Sequence, residues 1–245
     1  YVVMSGNFTP AQRQIVRNRC QIDVENFNLV HQWLKENNPN FSNMADSELC
    51  PNPIILEDDT LPNKSFFAFC TELLKRYEFN DSIMHISGNN FQFGIKRGDG
   101  DYYYSKYSHI WGWATWKRAW KKYDYYMSDW VTSRENLVSK VCGHDNTQIE
   151  FWNNIFDHVY KREIDTWDYQ WLYTLWENQG VSILPNQNLV INIGFGPNAT
   201  HTKQSDSFIS EMQSNEMKTI NRPSLYNTEA DLFSFYSLFN PKKPR

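Results

Sequence analysis

Ile54-Ile55-Leu56 is a short apolar run that breaks off in three consecutive carboxylates, Glu57, Asp58 and Asp59. A buried strand that stops in acid must end at a rim, because Asp and Glu are almost never fully buried unless paired. In open α/β sheets the rim at the carboxyl ends of the strands is where ligands bind. Hard divalent cations prefer carboxylate and phosphate oxygens. Glu57, Asp58 and Asp59 are therefore read as candidate ligands for Mn²⁺ or Mg²⁺ at a metal–diphosphate site. The plainer alternative is that Asp59 or Thr60 caps a helix starting near Ser65, with Glu57 and Asp58 solvated.

The 245 residues suffice for one large α/β domain or two small ones. A net charge of −4 argues against broad nucleic-acid binding. Cys20, Cys50, Cys70 and Cys142 form no Cys-x-x-Cys pair, so neither a zinc ribbon nor a redox motif is supported, and reduced, mostly buried thiols are expected. No apolar run reaches the ~18 residues of a membrane span, and no charged-then-apolar leader opens the chain. The expectation is a cytoplasmic protein, or one peripheral at a membrane, without a transmembrane segment.

Residues 1–44 read as a helical segment, with helices over 11–20 and 24–37 and no opening apolar strand. Phe27, Val30, His31 and Leu34 share one helical face. Arg13, Arg17 and Arg19 are read as a solvated helix face rather than a nucleic-acid patch. Residues 45–53 read as a linker. From residue 54 to 203 the texture is α/β: strands at 54–56, 83–87, 181–184 and 189–193, and helices at 65–77, 113–123, 147–160 and 168–178. Residues 204–245 lack a sustained pattern and read as an irregular tail.

Three constellations carry chemistry. Twelve aromatics fall within residues 102–130. Trp116 and Trp120 fit an aromatic core, whereas His109-Ile110-Trp111-Gly112-Trp113-Ala114 suits a backbone that approaches a ligand closely, with rings for a sugar face, the alternative being a glycine that only relieves sterics in the turn. Gly88-Asn89-Asn90 closes the strand at 83–87 and adds Asn89 and Asn90 to the substrate-binding candidates. Asp165 and Asp168 stand at the mouth of a helix: one can cap it, with Thr166 as the alternative cap, and the other is a candidate general base. The Gly-rich loop 194–202 lacks the Lys of a P-loop. It ends in His201, read either as a fourth metal ligand or as an exposed loop histidine.

Taken in order, ILEDD…LP…SFF, HISGNNFQFG, SHIWGWATWKRAW, EIDTWDYQW and SILPNQNLVINIGFGPNATHT resemble the carboxyl-terminal two-thirds of the hemolytic-protein-like nucleotide-diphospho-sugar glycosyltransferases. The resemblance covers about residues 53–203. It implies a GT-A-like α/β fold, a mixed sheet with flanking helices. The implied activity is metal-dependent transfer of a sugar from a nucleotide-diphospho-sugar donor to a glycan or lipid-linked sugar acceptor, in surface polysaccharide or glycan synthesis. By the same resemblance Glu57, Asp58 and Asp59 match the metal-binding acids, Asp168 the base for the acceptor hydroxyl and His201 the late histidine at the metal or diphosphate. Trp111, Gly112 and Trp113 match the loop lining donor and acceptor. The family places a βαβ nucleotide-binding half before the acidic strand, which residues 1–53 do not match. An N-terminally truncated domain is therefore expected, with a strand edge left open beside Ile54–Leu56. Residues 1–44 instead resemble a segment of helitron-type transposon proteins. The alternative reading is an inactive glycosyltransferase remnant or a carbohydrate-binding module.

Overall fold

The computed structural model describes residues 2–5, 52–57, 59–193 and 212–240, with the backbone alone at 2–5. Its core is a six-stranded sheet in the order β1 (Val2–Ser5), β2 (Ile54–Glu57), β6 (Trp113–Ala114), β4 (Ile83–Ser87), β7 (Val181–Pro185), β5 (Tyr102–Ser105). β1 runs parallel to β2 and β4 parallel to β7, while β6 and β5 are antiparallel to their neighbours. The carboxyl ends of β1, β2, β4 and β7 therefore share one rim. β3 (Thr60–Pro62) and β8 (Val190–Asn192) form a small antiparallel sheet beside it.

Both faces of the large sheet are covered, so its strands read as apolar runs rather than alternating ones. Successive side chains point to opposite faces. Ile54, Leu56, Ile86 and Ala114 pack with Phe66, Phe69 and Leu73 of α1 (Lys64–Arg76). Ile55, Met84 and Trp113 face the other way, onto α3 (Trp130–Cys142), α4 (Asn146–Tyr160) and α5 (Asp168–Glu177). Every residue of α5 from Gln170 to Trp176 is buried, as befits a helix enclosed on all sides. α1 begins at Asn63, whose side chain accepts the Phe66 N–H at 3.1 Å. Neither Asp59 nor Thr60 is its cap. Cys70 and Cys142 are free and buried, as expected; Cys20 and Cys50 lie outside the described residues.

Four expectations need correction. Residues 2–5 are a strand in register with 54–57, so residues 1–44 are not wholly helical and the edge of β2 is not open. Both candidate helices of that segment lie outside the described residues. Residues 113–123 are not one helix. Trp113–Ala114 pairs with Ile54–Ile55 on one side and Ile86–Ser87 on the other, and only Lys117–Trp120, α2, is helical. Two ladders outweigh local helical preference there. α3 was unforeseen, because its buried Trp130, Leu137, Val138 and Cys142 skip the positions that would complete a helical stripe. Lastly, residues 212–240 are not merely irregular. α6 (Thr228–Ser234) continues into a wider turn at Phe235–Phe239, and Ala230, Asp231, Ser234 and Phe235 are buried. Asp231 accepts Ser105 Oγ at 2.5 Å, the Lys106 N–H at 3.2 Å and the Tyr226 hydroxyl. That helix is held by polar contacts, which leave no hydrophobic period in the sequence. Among the described residues no helix is long and apolar enough to cross a membrane.

His85, on β4, ties the layers together. Trp171 Nε1–H donates to its Nδ1 at 3.1 Å, which leaves the proton on Nε2 to be donated to the His109 carbonyl at 3.0 Å. Burial lowers its pKa from 6.5 to about 3. The imidazole is therefore neutral when folded, and the unfolded chain takes up the proton first as pH falls below 6.5. Stability is fully present above that value and declines towards pH 3, by about 2 kcal/mol for this group between pH 6.5 and 5. Denaturant midpoints at pH 7.5 and 5 should fall more steeply for the wild type than for His85→Gln. Equal pH slopes would contradict the assignment.

Candidate functional site

The acidic cluster sits where the two sheets meet. Thr60 Oγ1 donates to the Glu57 carbonyl at 2.8 Å and accepts the Glu57 N–H at 3.1 Å, closing a tight turn after β2. The Asp59 carbonyl accepts the Ile193 N–H at 2.7 Å, and its Oδ2 accepts Asn192 Nδ2 at 3.0 Å. Asp59 is thus bound to β8, the strand that leads into the Gly-rich loop. Asp58 and that loop, with His201, lie outside the described residues. Among the described residues, no three His, Cys, Asp or Glu side chains gather in a metal-holding group. Glu57 and the half-buried Asp59 still supply hard oxygen donors of the kind Mn²⁺ and Mg²⁺ take.

The turn before β6 occupies the same rim. Gly112 adopts φ +67°, and a Cβ there would meet Val190 Cγ2 at 2.8 Å and Phe66 Cζ at 3.3 Å. Its carbonyl accepts the Gly88 N–H at 2.7 Å. Close packing against protein therefore already requires this glycine. Trp113 is fully buried, stacked on His85 and on Trp167 at centroid distances of 5.2 and 5.5 Å. Its faces belong to the core, whereas Trp111 is only partly buried and borders a cavity.

That cavity holds about 130 Å³. Phe91, Trp111, Tyr169 and Phe239 supply aromatic walls, and Ser108, His109 and Asp168 supply the polar groups. Stacking of Trp167 on Trp113 brings the start of α5, and with it Asp168, to the rim. Thr166 Oγ1 and the Tyr169 N–H both donate to Asp168 Oδ1, so Oδ2 keeps its accepting capacity. Burial raises the Asp168 pKa above the ordinary carboxylate value, while those two bonds pull it down. Burial also lowers the His109 pKa to about 3, with His85 adding to the effect, so this imidazole too is neutral.

The structure brings Trp111 and Asp168 together and separates them from other expected partners. Asp165 is exposed and caps nothing, and Thr166 bonds Asp168 rather than the helix end. Asn90 is occupied structurally: its Nδ2 donates to the Pro185 carbonyl at 2.5 Å and its Oδ1 accepts the Gln92 N–H at 2.7 Å. Asn89 is fully buried with neither amide atom hydrogen-bonded. Sequence reasoning took in His109 only as the first residue of the turn, without a role of its own, and passed over Ser108, although both immediately precede Ile110-Trp111-Gly112. The cue was a polar pair opening an aromatic turn, and attention went to the rings instead.

No family model matches the chain, and no curated protein matches it.

The raised pKa of Asp168 has a thermodynamic consequence. Its ionised form is disfavoured by folding, so its contribution is best at low pH and is lost as pH rises through the folded-state pKa. Asp168→Asn keeps an oxygen for Thr166 and Tyr169 without the buried charge. The variant should melt at a higher temperature than wild type at pH 7.5, with the gap narrowing at pH 4. A lower melting temperature at pH 7.5 would count against the carboxylate being destabilised.

Proposed function

We propose that the protein is a glycosyltransferase of GT-A-like fold, moving a sugar from a nucleotide-diphospho-sugar to an acceptor hydroxyl at the carboxyl-end rim of the large sheet. The observation that carries this reading is Asp168. It is a carboxylate with one oxygen uncommitted, in an aromatic-walled cavity beside the rim turn that also carries Trp111. The mixed sheet with helices on both faces agrees with that fold. So does β1, which covers the edge of β2 that a remnant would leave open.

Asp168 serves as the general base. A carboxylate whose pKa is raised towards neutrality takes a proton more readily than an ordinary one. As the acceptor oxygen bonds to the anomeric carbon, its proton passes to Asp168 and the bond to the diphosphate oxygen breaks. Aromatic faces orient the sugar and exclude water. Glu57, Asp58 and Asp59 would hold Mn²⁺ or Mg²⁺, and such an ion would supply charge neutralisation for a departing diphosphate. Donor and acceptor are both small or glycan molecules, and no nucleic-acid partner is part of this reading.

The test is release of nucleoside diphosphate from a panel of sugar nucleotides, with and without Mn²⁺. Release should require the metal and disappear in Asp59→Ala. In Asp168→Asn it should fall by roughly 10²–10⁴-fold, the range for losing a general base. Failure of every donor, or release indifferent to EDTA and to both substitutions, would overturn the proposal.

A further inference from the structure

Among the described residues, two polar side chains of the cavity each carry a buried atom with no hydrogen-bond partner. His109 Nε2 and Ser108 Oγ are each buried without a hydrogen bond, and the His109 side chain belongs to a residue only 5% exposed. Phe91 meets the His109 ring edge-on at 4.8 Å and the Trp111 ring at 5.0 Å, so the walls hold these rings in place. The His109 backbone is fixed as well, because its carbonyl accepts Ser87 Oγ at 2.9 Å and its N–H donates to Ser87 Oγ at 3.1 Å. A rigid group left unpaired and buried opposes folding unless a ligand satisfies it. Native interiors hold few of them, and such atoms in a cavity mark where a partner binds.

We infer that this cavity is a subsite for one neutral hydroxylated ring, a hexose of the acceptor, and that His109 and Ser108 are specificity-determining residues that bond its hydroxyls. The inference rests on reading Asp168 as the acceptor's base. Size, charge and wall chemistry agree on that class of ligand. At about 130 Å³ the space has room for part of one ring and no more, so a single ring would enter it edge-first with the remainder at the cavity mouth. Among the described residues no Lys or Arg lines it, and the one charged group that does is the Asp168 carboxylate, which would repel an acidic ligand. Hydroxyls can either donate or accept, so they satisfy a neutral imidazole in whichever tautomer it holds. The ring's C–H faces lie against Phe91 and Trp111.

The experiment measures binding to the full chain, without donor or metal, by ligand-observed NMR titration. Methyl glucopyranoside, methyl galactopyranoside and glucuronate are the probes. At least one neutral glycoside should bind, and glucuronate should bind at least about tenfold more weakly. His109→Leu and Ser108→Ala should each weaken the neutral ligand by about 3–10-fold, the value of one hydrogen bond. Tyr126→Ala, which alters an exposed ring outside the cavity, should change nothing. If His109→Leu loses its near-ultraviolet circular dichroism, Ser108→Ala decides alone. Absence of binding by either neutral glycoside, glucuronate binding as tightly as they do, or unchanged affinity in a folded cavity variant overturns the inference. The two proposals fail separately. Hexose binding that depends on His109, with no diphosphate released from any donor, removes the transferase and keeps the subsite. Diphosphate release to a sugar acceptor that is indifferent to His109→Leu and Ser108→Ala does the reverse.

Discussion

β6 is two residues long, yet the rest of the structure is arranged around it. It lies antiparallel between β2 and β4, in register with Ile54–Ile55 on one side and Ile86–Ser87 on the other. Without it two central strands would each face an empty ladder, with amides and carbonyls buried and unpaired. The residues around it extend the clamp. The Thr115 N–H donates to the Pro53 carbonyl at 3.1 Å and its Oγ1 to the Met84 carbonyl at 2.7 Å, while the Gly112 carbonyl takes the Gly88 N–H. Trp113 then packs with α5 on one face and Ala114 with α1 on the other. The same insertion fixes the cavity, because the chain must enter β6 from the rim and therefore carries Ser108 to Trp111 across it.

The core beneath that rim is polar at one well-chosen point. Trp171, His85, Ser87 and the His109 backbone form a chain of hydrogen bonds that is wholly buried. Networks of this kind are favourable only when every member is satisfied, and His85 uses both ring nitrogens. Neutrality of the imidazole follows from the same geometry, since Nδ1 must accept from Trp171 and cannot carry a proton. The network links α5, β4 and the 105–111 segment. A displacement of α5 would therefore reach the cavity through His109 as well as through Asp168.

Elements with a sustained apolar pattern were legible in the sequence, whereas α3, whose stripe is interrupted, and several of the shortest strands were not. The strand at Ile83–Ser87 and the helices at Asn146–Tyr160 and Asp168–Glu177 matched their apolar patterns within about a residue. β6 left no trace, since two residues define no period and their strand geometry comes from neighbours far along the chain. Val2–Ser5 was missed for a similar reason: four residues at the chain's start show no alternation. Tyr102–Ser105 vanished into an aromatic run in which strand, turn and helix look alike. At the candidate site the acids were readable as types but not as roles. Asp165 and Asp168 differ by three positions in sequence, yet one is exposed while the other lines a cavity. Which of them is enclosed depends on Trp167 stacking on Trp113, a contact between residues 54 positions apart.

Unpaired buried polar atoms occur elsewhere in this fold, and the comparison shows why the cavity differs. Among the described residues, the indole N–H of Trp113 and the Ser182 hydroxyl also lack partners. Trp113 lies in the large aromatic core and Ser182 on β7, and neither lines the cavity. Elsewhere the polar groups are stitched with care. Arg118 alone serves the carbonyls of Tyr77, Glu78 and Ile83, and Arg134 pairs with Asp157 at 2.6 Å. A chain that satisfies distant carbonyls so fully has no general shortage of donors. The unpaired Ser108 and His109 converge instead on one space, shared with a carboxylate whose charge burial opposes. Groups left in that state weaken the fold where they stand, and such sacrifices of stability are characteristic of sites that bind or react.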